Sequence, residues 1–314
     1  MLIEAEQLYC FYGNHCAVEN LNLSLDKGEI VGFLGPNGAG KTTTMQMLCG
    51  TLAPSAGQIR INGIDLLEKP KQAKRYLGYL PEIPPLYREL TVNEYLDYCG
   101  RLHGLKGPSL TQARESAKER CGLTDASTQL IGNLSKGYQQ RVGIAQAILH
   151  SPEVVVLDEP TVGLDPNQIR EIRELIRELG QEHAVLLSSH ILPEVQALCS
   201  RVMIIHQGKV ALNESTATLE QHVHSSSLIL ETRWPVDLEC LTHLDGVQSI
   251  KPISEIRHRY QIFHDKEVNP AEKIAAIIVA KRWGLLELTP VRQSIEQIFV
   301  EITRQEKESD EAEA

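Results

Sequence analysis

Residues 35–42 read Gly-Pro-Asn-Gly-Ala-Gly-Lys-Thr. The stretch fits G-x-x-x-x-G-K-[ST], a loop whose backbone N–H groups hold nucleotide phosphates. Gly35, Gly38 and Gly40 have no Cβ to keep phosphate oxygens away from those groups. Lys41 is placed to bridge the β- and γ-phosphates, and Thr42 to ligate Mg²⁺ through its hydroxyl. Well downstream, Leu134-Ser135-Lys136-Gly137-Tyr138-Gln139-Gln140-Arg141 sets a serine and a glycine just ahead of a helical pattern. A helix start favours anions, so this is a second candidate phosphate site. Two such elements in one chain imply a nucleotide gripped from both sides.

Two further groups have strand-end character. Asp158 and Glu159 close the continuous aliphatic run Val154-Val155-Val156-Leu157. Such a run reads as a strand buried on both faces. Carboxylates at its end sit where ligands bind in open α/β folds. Asp158 is the expected Mg²⁺ holder, directly or through water, and Glu159 the expected general base for an attacking water. His190 follows the strand Val185-Leu186-Leu187 within Ser188-Ser189-His190. An imidazole there could donate to a γ-phosphate and report its loss.

The elements around these groups form an α/β pattern. Ile30–Leu34 reads as a strand entering the phosphate loop, and Thr42–Cys49 as the helix leaving it, stopped at Gly50. Asn62-Gly63 predicts a hairpin across residues 58–65. Residues 85–150 are mostly helical, an insertion in the α/β core. Thr91-Val92-Asn93-Glu94 is a capping box there, and Ser109-Leu110-Thr111-Gln112 reads as another. Asp165-Pro166 supplies an N-cap and first-turn proline to a helix with an apolar face at Ile169, Ile172, Leu175, Ile176 and Leu179. A hairpin over 201–212 closes this first domain, expected to span residues 1–214.

The pattern changes near residue 215. Strand and helix periods then alternate as βαββαβ, which suggests a small α+β, ferredoxin-like domain over 215–304. Its last helix is expected at Ser294–Arg304. The tail 305–314 is acidic, with five acids and one lysine from Glu306 to Ala314, and has the composition of a disordered segment.

Of the 314 residues, 42% are hydrophobic and 23% charged, ordinary values for a globular protein. The formal net charge of −10 argues against a nucleic-acid partner, since phosphate-backbone binding needs a basic face. The seven cysteines show no C-x-x-C spacing, so reduced thiols are expected rather than a zinc site or a disulfide framework. Met1-Leu2-Ile3-Glu4-Ala5-Glu6 is not a signal peptide. The apolar run Ile274–Ala280 is far below the roughly 20 residues that span a bilayer. Work at a membrane would need a span from another chain.

In their joint order these motifs resemble the ATP-binding subunits of ABC transporters, over about residues 1–213. Gly35–Thr42 matches Walker A, Leu134–Arg141 the signature, and Val154–Glu159 Walker B. Gly163-Leu164-Asp165 matches the D-loop and His190 the switch histidine, while Tyr12 matches the aromatic that stacks on adenine. Gly78-Tyr79-Leu80-Pro81-Glu82 and Ser294-Ile295-Glu296-Gln297-Ile298-Phe299 resemble exporter ATPases with a carboxy-terminal extension, such as drug-efflux and gliding-motility subunits.

The resemblance implies a P-loop NTPase core binding ATP and Mg²⁺. Walker A contacts would come from Gly35, Pro36, Asn37, Gly38, Ala39, Gly40, Lys41, Thr42 and Thr43. Two nucleotide-binding domains would sandwich two ATP molecules, Ser135 and Gly137 of one reaching the γ-phosphate on the other's Lys41. Transmembrane permease subunits are the implied partners, reached through the groove near residues 82–91, at the cytoplasmic face of a membrane. The alternative is a soluble ABC ATPase of translation or DNA repair. Those usually carry two cassettes, or zinc and coiled-coil insertions.

This chain departs from the family at two places. Lys136 and Tyr138 stand where the signature usually has glycine and glutamine, and Glu82 where a glutamine near Mg²⁺ is usual. An ionised carboxylate can ligate Mg²⁺ but donates no hydrogen bond.

Overall fold

The computed structural model describes residues 1–218, 224–254, 258–265 and 268–292. The chain divides into two compact units, Met1–Thr216 and Ala217–Ala314.

The first unit is organised by two sheets. β1 (Ile3–Tyr12) and β2 (His15–Leu25) are antiparallel and long, joined by a two-residue turn at Gly13-Asn14. β3 (Ile30–Leu34) leads into the phosphate loop, and α1 (Lys41–Leu48) leaves it. β4 (Ala56–Ile61) and β5 (Ile64–Asp65) form the expected hairpin, with Asn62 and Gly63 both at positive φ, as its two-residue turn requires. The antiparallel sheet runs β2-β1-β4-β5. A short α2 (Pro70–Ala73) precedes β6 (Leu77–Leu80).

The inserted helices are α3 (Val92–Leu102), α4 (Gly107–Arg120) and α5 (Lys136–Ile148). The Thr91–Glu94 capping box is present at α3, each partner's side chain meeting the other's backbone N–H. The expected box at Ser109 is not. α4 begins two residues earlier, at Gly107, with Pro108 in its first turn, so Ser109 lies inside the helix and its hydroxyl donates back to the Lys106 carbonyl.

The core continues through β7 (Val154–Leu157), α6 (Pro166–Leu179), β8 (Ala184–Ser189), α7 (Leu192–Leu198), β9 (Arg201–His206) and β10 (Lys209–Ser215). Asp165 caps α6, its carboxylate accepting from the N–H groups of Asn167 and Gln168. The second sheet has the order β10-β9-β3-β8-β7-β6. β9, β3, β8, β7 and β6 pair in parallel, and β10 runs antiparallel along the edge. α1 packs between the two sheets: Met45, Met47 and Leu48 share one core with Ile3, Leu21 and Ile59 of the antiparallel sheet and Phe33, Val156 and Leu186 of the parallel one.

The second unit has four antiparallel strands, β11 (His224–Thr232), β12 (Val247–Ser254), β13 (Arg259–His264) and β14 (Leu285–Arg292), with helices at Leu238–Thr242 and Ala271–Ala280. The chain order is βαββαβ and the sheet order β12-β13-β11-β14, the split arrangement of a ferredoxin-like domain. Period-two burial puts Tyr260 and Ile262 of β13 with Leu228 and Leu230 of β11 against Ile274 and Ile278 of the second helix. The expected helix 294–304 and the acidic tail 305–314 lie outside the described residues.

Candidate nucleotide site at the carboxyl edge of the parallel sheet

Four neighbouring parallel strands deliver the candidate groups to one edge. β3 ends at the loop 35–40, β8 at His190, β7 at Asp158 and Glu159, and β6 at Pro81-Glu82. They meet in a cleft of about 510 Å³ lined by Tyr12, Asn37, Gly38, Gly40, Lys41, Thr42, Thr43, Glu82, Glu159 and His190, with His15, Ala17 and Val162.

The loop needs its glycines for different reasons. Gly40 has φ 105°, and an added Cβ would sit 2.6 Å from the Ala17 carbonyl oxygen. A Cβ on Gly35 would sit 2.4 Å from that of Ile205. Gly35, Pro36 and Ala39 do not line the cleft; they shape the loop behind it. The Lys41 ammonium donates to the carbonyls of Gly35 (2.8 Å) and Pro36 (3.2 Å), and Ala39 is buried, its N–H donating to Pro36. At the start of α1, Lys41, Thr42 and Thr43 present the N–H groups that a helix leaves without an intrahelical acceptor.

Glu159 links Lys41 and His190. Lys41 Nζ lies 3.3 Å from its Oε1, and His190 Nδ1 lies 2.9 Å from its Oε2. Its backbone is at φ +48°, a left-handed conformation disfavoured for a residue with a Cβ and found disproportionately at functional sites. The Glu159 N–H donates to Ser188 Oγ at 2.8 Å, which holds that conformation.

Asp158 is fully buried behind the cleft wall. Its Oδ1 accepts from Ser188 Oγ at 2.5 Å, while Oδ2 has no hydrogen-bond partner among the described residues. Burial raises its pKa above the usual aspartate range; the Ser188 and Thr42 hydroxyls act the other way, and Glu159 and Glu82 add repulsion. A buried carboxylate with one orphaned oxygen beside the Thr42 hydroxyl is a fitting donor set for a hard cation. Among the described residues no three His, Cys, Asp or Glu side chains cluster as a self-contained metal cage. A cation here would share its ligands with phosphate, as Mg²⁺ sites commonly do.

The signature residues lie apart from this cleft. Ser135 caps α5, its hydroxyl accepting from the Tyr138 N–H at 3.3 Å, and is exposed. Gly137 is buried because the Gln168 side chain of α6 occupies the space of a Cβ, which would fall 2.6 Å from Gln168 Cδ. Lys136 reaches Gly163 and helps line a second cleft, of about 460 Å³, with Glu82, Ile83, Pro84, Leu86 and Arg88. Glu82 belongs to both clefts. Ser188 is the site residue that sequence reasoning missed: a buried serine at a strand end has no spacing of its own, and its role depends on β7 and β8 being neighbours.

The site and fold define a P-loop ATPase, and comparison with known proteins gives the family. The profile described as "ABC transporter" matches residues 18–162. The bacitracin transport ATP-binding protein BcrA of Bacillus licheniformis is 34% identical over 309 residues, covering 96% of this chain and 97% of the relative. A solved ATP-binding subunit of an ABC transporter is 32% identical with TM-score 0.64, over 70% of this chain and 92% of that one. A dimeric bacterial ABC transporter cassette, MJ0796, is 25% identical with TM-score 0.62, over 68% of this chain and 98% of that one. The chain belongs to the ATP-binding subunits of ABC transporters: it binds ATP and is an ATPase. Among the described residues no helix is long and apolar enough to cross a membrane.

Proposed function

We propose that the protein powers a membrane exporter from the cytoplasmic face, hydrolysing ATP between two nucleotide-binding domains and passing the motion to transmembrane permease subunits. The observation that carries the hydrolytic part is the contact chain Lys41–Glu159–His190 inside a cleft walled by the phosphate loop. Tyr12 stacks on the base. The N–H groups of the loop and of the first turn of α1 hold the phosphates, and Lys41 neutralises their β and γ charge. Glu159 accepts the proton of the attacking water. His190 orients Glu159 through Nδ1 and keeps Nε2 for the γ-phosphate.

Thr42 and Asp158 would hold Mg²⁺, with Glu82 as an outer neighbour. When bound, the ion supplies charge stabilisation at the β- and γ-phosphate oxygens. Ser135 and the start of α5 face a second copy or a paired nucleotide-binding domain. The dimeric cassette MJ0796 supports that arrangement.

BcrA, similar along almost the whole chain, is named as a transport protein, which favours export over the soluble alternative. Purification from detergent-solubilised membranes tests the reading. Co-purifying transmembrane chains that raise ATP hydrolysis on reconstitution are expected. Exclusive recovery with ribosomes or DNA would overturn it.

A further inference from the structure

We propose that Glu194 is a positioning residue for ATP hydrolysis, holding His190 in register with Glu159. The inference rests on the roles given above to those two residues.

Glu194 is an acid on α7 with only 3% of its surface exposed, and it touches neither the cleft nor the phosphate loop. A buried carboxylate is costly unless its oxygens are satisfied. Here three segments satisfy them. Oε2 accepts from Thr161 Oγ1 at 2.7 Å and from Ser189 Oγ at 3.2 Å. Oε1 accepts from Arg173 Nη2 of α6 at 3.1 Å.

The two hydroxyls sharing Oε2 decide the inference. Thr161 lies two residues after Glu159 and Ser189 one residue before His190. A single oxygen therefore joins the segment carrying the base to the segment carrying the histidine. The tie continues into the backbone: Ser189 Oγ also accepts from the Ile191 N–H at 3.0 Å, so the peptide that follows His190 is held by a side chain that Glu194 holds. The outcome of this bracing is the 2.9 Å contact of His190 Nδ1 with Glu159 Oε2. Without the carboxylate, Thr161 and Ser189 lose their shared acceptor and Arg173 loses its ion pair, so the two segments are left to the bond from the Glu159 N–H to Ser188 Oγ and to the His190–Glu159 contact itself. His190, two-fifths exposed, is then free to leave Glu159.

A purely structural glutamate would lower stability and leave the chemistry of folded protein alone. A positioning glutamate acts through His190, so its loss counts little once His190 is gone. A double-mutant cycle on the full chain separates the two. Steady-state kcat and KM for ATP are measured for the parent, Glu194→Ala, His190→Ala and the double variant, below their unfolding temperatures. Glu194→Ala is expected to lower kcat at least tenfold with KM within threefold, and to lower it less than threefold further in the His190→Ala background. Glu194→Gln keeps an oxygen for Thr161 and Ser189 and should restore kcat to within about threefold of the parent. Should Glu194→Ala not fold, Ser189→Ala in the same cycle carries the test, with a smaller loss that again vanishes in the His190→Ala background. Equal fold losses in both backgrounds, or unchanged kcat in Glu194→Ala, would overturn the inference while leaving the site intact. Unchanged kcat in His190→Ala would overturn the role of His190 itself, and the inference with it.

Discussion

Lys41 Nζ and Glu159 Oε1 face each other at 3.3 Å, both side chains nearly buried. The same ammonium is held by the carbonyls of Gly35 and Pro36, so its position is set by the loop it closes. A phosphate in the cleft would meet a cation already aimed by three oxygens. Lys41→Ala removes the cation and should weaken ATP binding about 10- to 100-fold, the worth of one charge-assisted hydrogen bond, and reduce turnover to background. Binding of a fluorescent ATP analogue together with phosphate release checks it. Parent-level hydrolysis in the variant would contradict the assignment.

Ser188→Ala tests the brace under the two acids. It strips the partner from Asp158 Oδ1 and from the Glu159 N–H, both buried. Each unmet group costs about 1–3 kcal/mol, so a drop of several degrees in Tm is expected. The Mg²⁺ concentration that half-saturates ATP binding should also rise, because Asp158 loses its fixed orientation. A lower Tm with unchanged Mg²⁺ dependence would make Ser188 a packing residue only.

Glu82 tests the departure from the family pattern. It lines the nucleotide cleft and its neighbour, and it repels Asp158. If its carboxylate helps hold Mg²⁺, Glu82→Ala should raise the metal concentration needed for activity. Glu82→Gln removes a negative charge near the γ-phosphate and should keep substantial ATPase activity or increase it. A Mg²⁺ titration of hydrolysis for the three forms gives the answer. Superimposable curves would place Glu82 outside the metal shell.

The histidine pair beneath α3 and α5 predicts a pH dependence of stability. The His103 and His150 rings stack with centroids 3.7 Å apart, and His150 Nε2 lies 3.1 Å from the Leu77 carbonyl oxygen. Burial, then the His103 charge, pushes the His150 pKa down from 6.5 to about 4; the Leu77 carbonyl acts the other way and His183 adds to the lowering. Burial also lowers His103. Between about pH 4 and 6.5 the unfolded chain binds more protons here than the folded one, so stability is lost as pH falls through that window. The loss at pH 5 should be about 1–2 kcal/mol from His150 alone. Denaturant unfolding at pH 7 and 5 measures it. His150→Gln should shrink the difference, and an equal difference in the variant would rule out this origin.

The phosphate loop, the two strand-end acids and His190 were legible in the sequence because each is a local motif: glycines before Lys41, and polar groups closing the aliphatic runs at β7 and β8. The order of strands was not. Nothing local indicates that β8 lies between β3 and β7, yet that adjacency sets Ser188 against Asp158 and Glu159. Helix α7 also escaped notice, because seven residues with a proline near the start carry little periodic signal. The capping pattern at Ser109 misled for a related reason. A serine followed by glutamine fits a helix start, but Gly107-Pro108 initiates α4 first. In the second unit, alternation on β13 and the apolar face of the helix Ala271–Ala280 carried the βαββαβ order correctly.

The central claim is that Glu159, held between Lys41 and His190, is the base that drives hydrolysis. Glu159→Gln keeps the shape of the side chain and removes its basicity. MgATP hydrolysis and sedimentation of the variant, on one sample, test the claim most directly. The account predicts ATP binding close to that of the parent, a fall in kcat of about 10²- to 10⁴-fold, and a shift from monomer to dimer on adding MgATP. Loss of turnover without dimerisation would leave the base in place and count against the two-domain sandwich. Turnover at the parent rate would contradict the account.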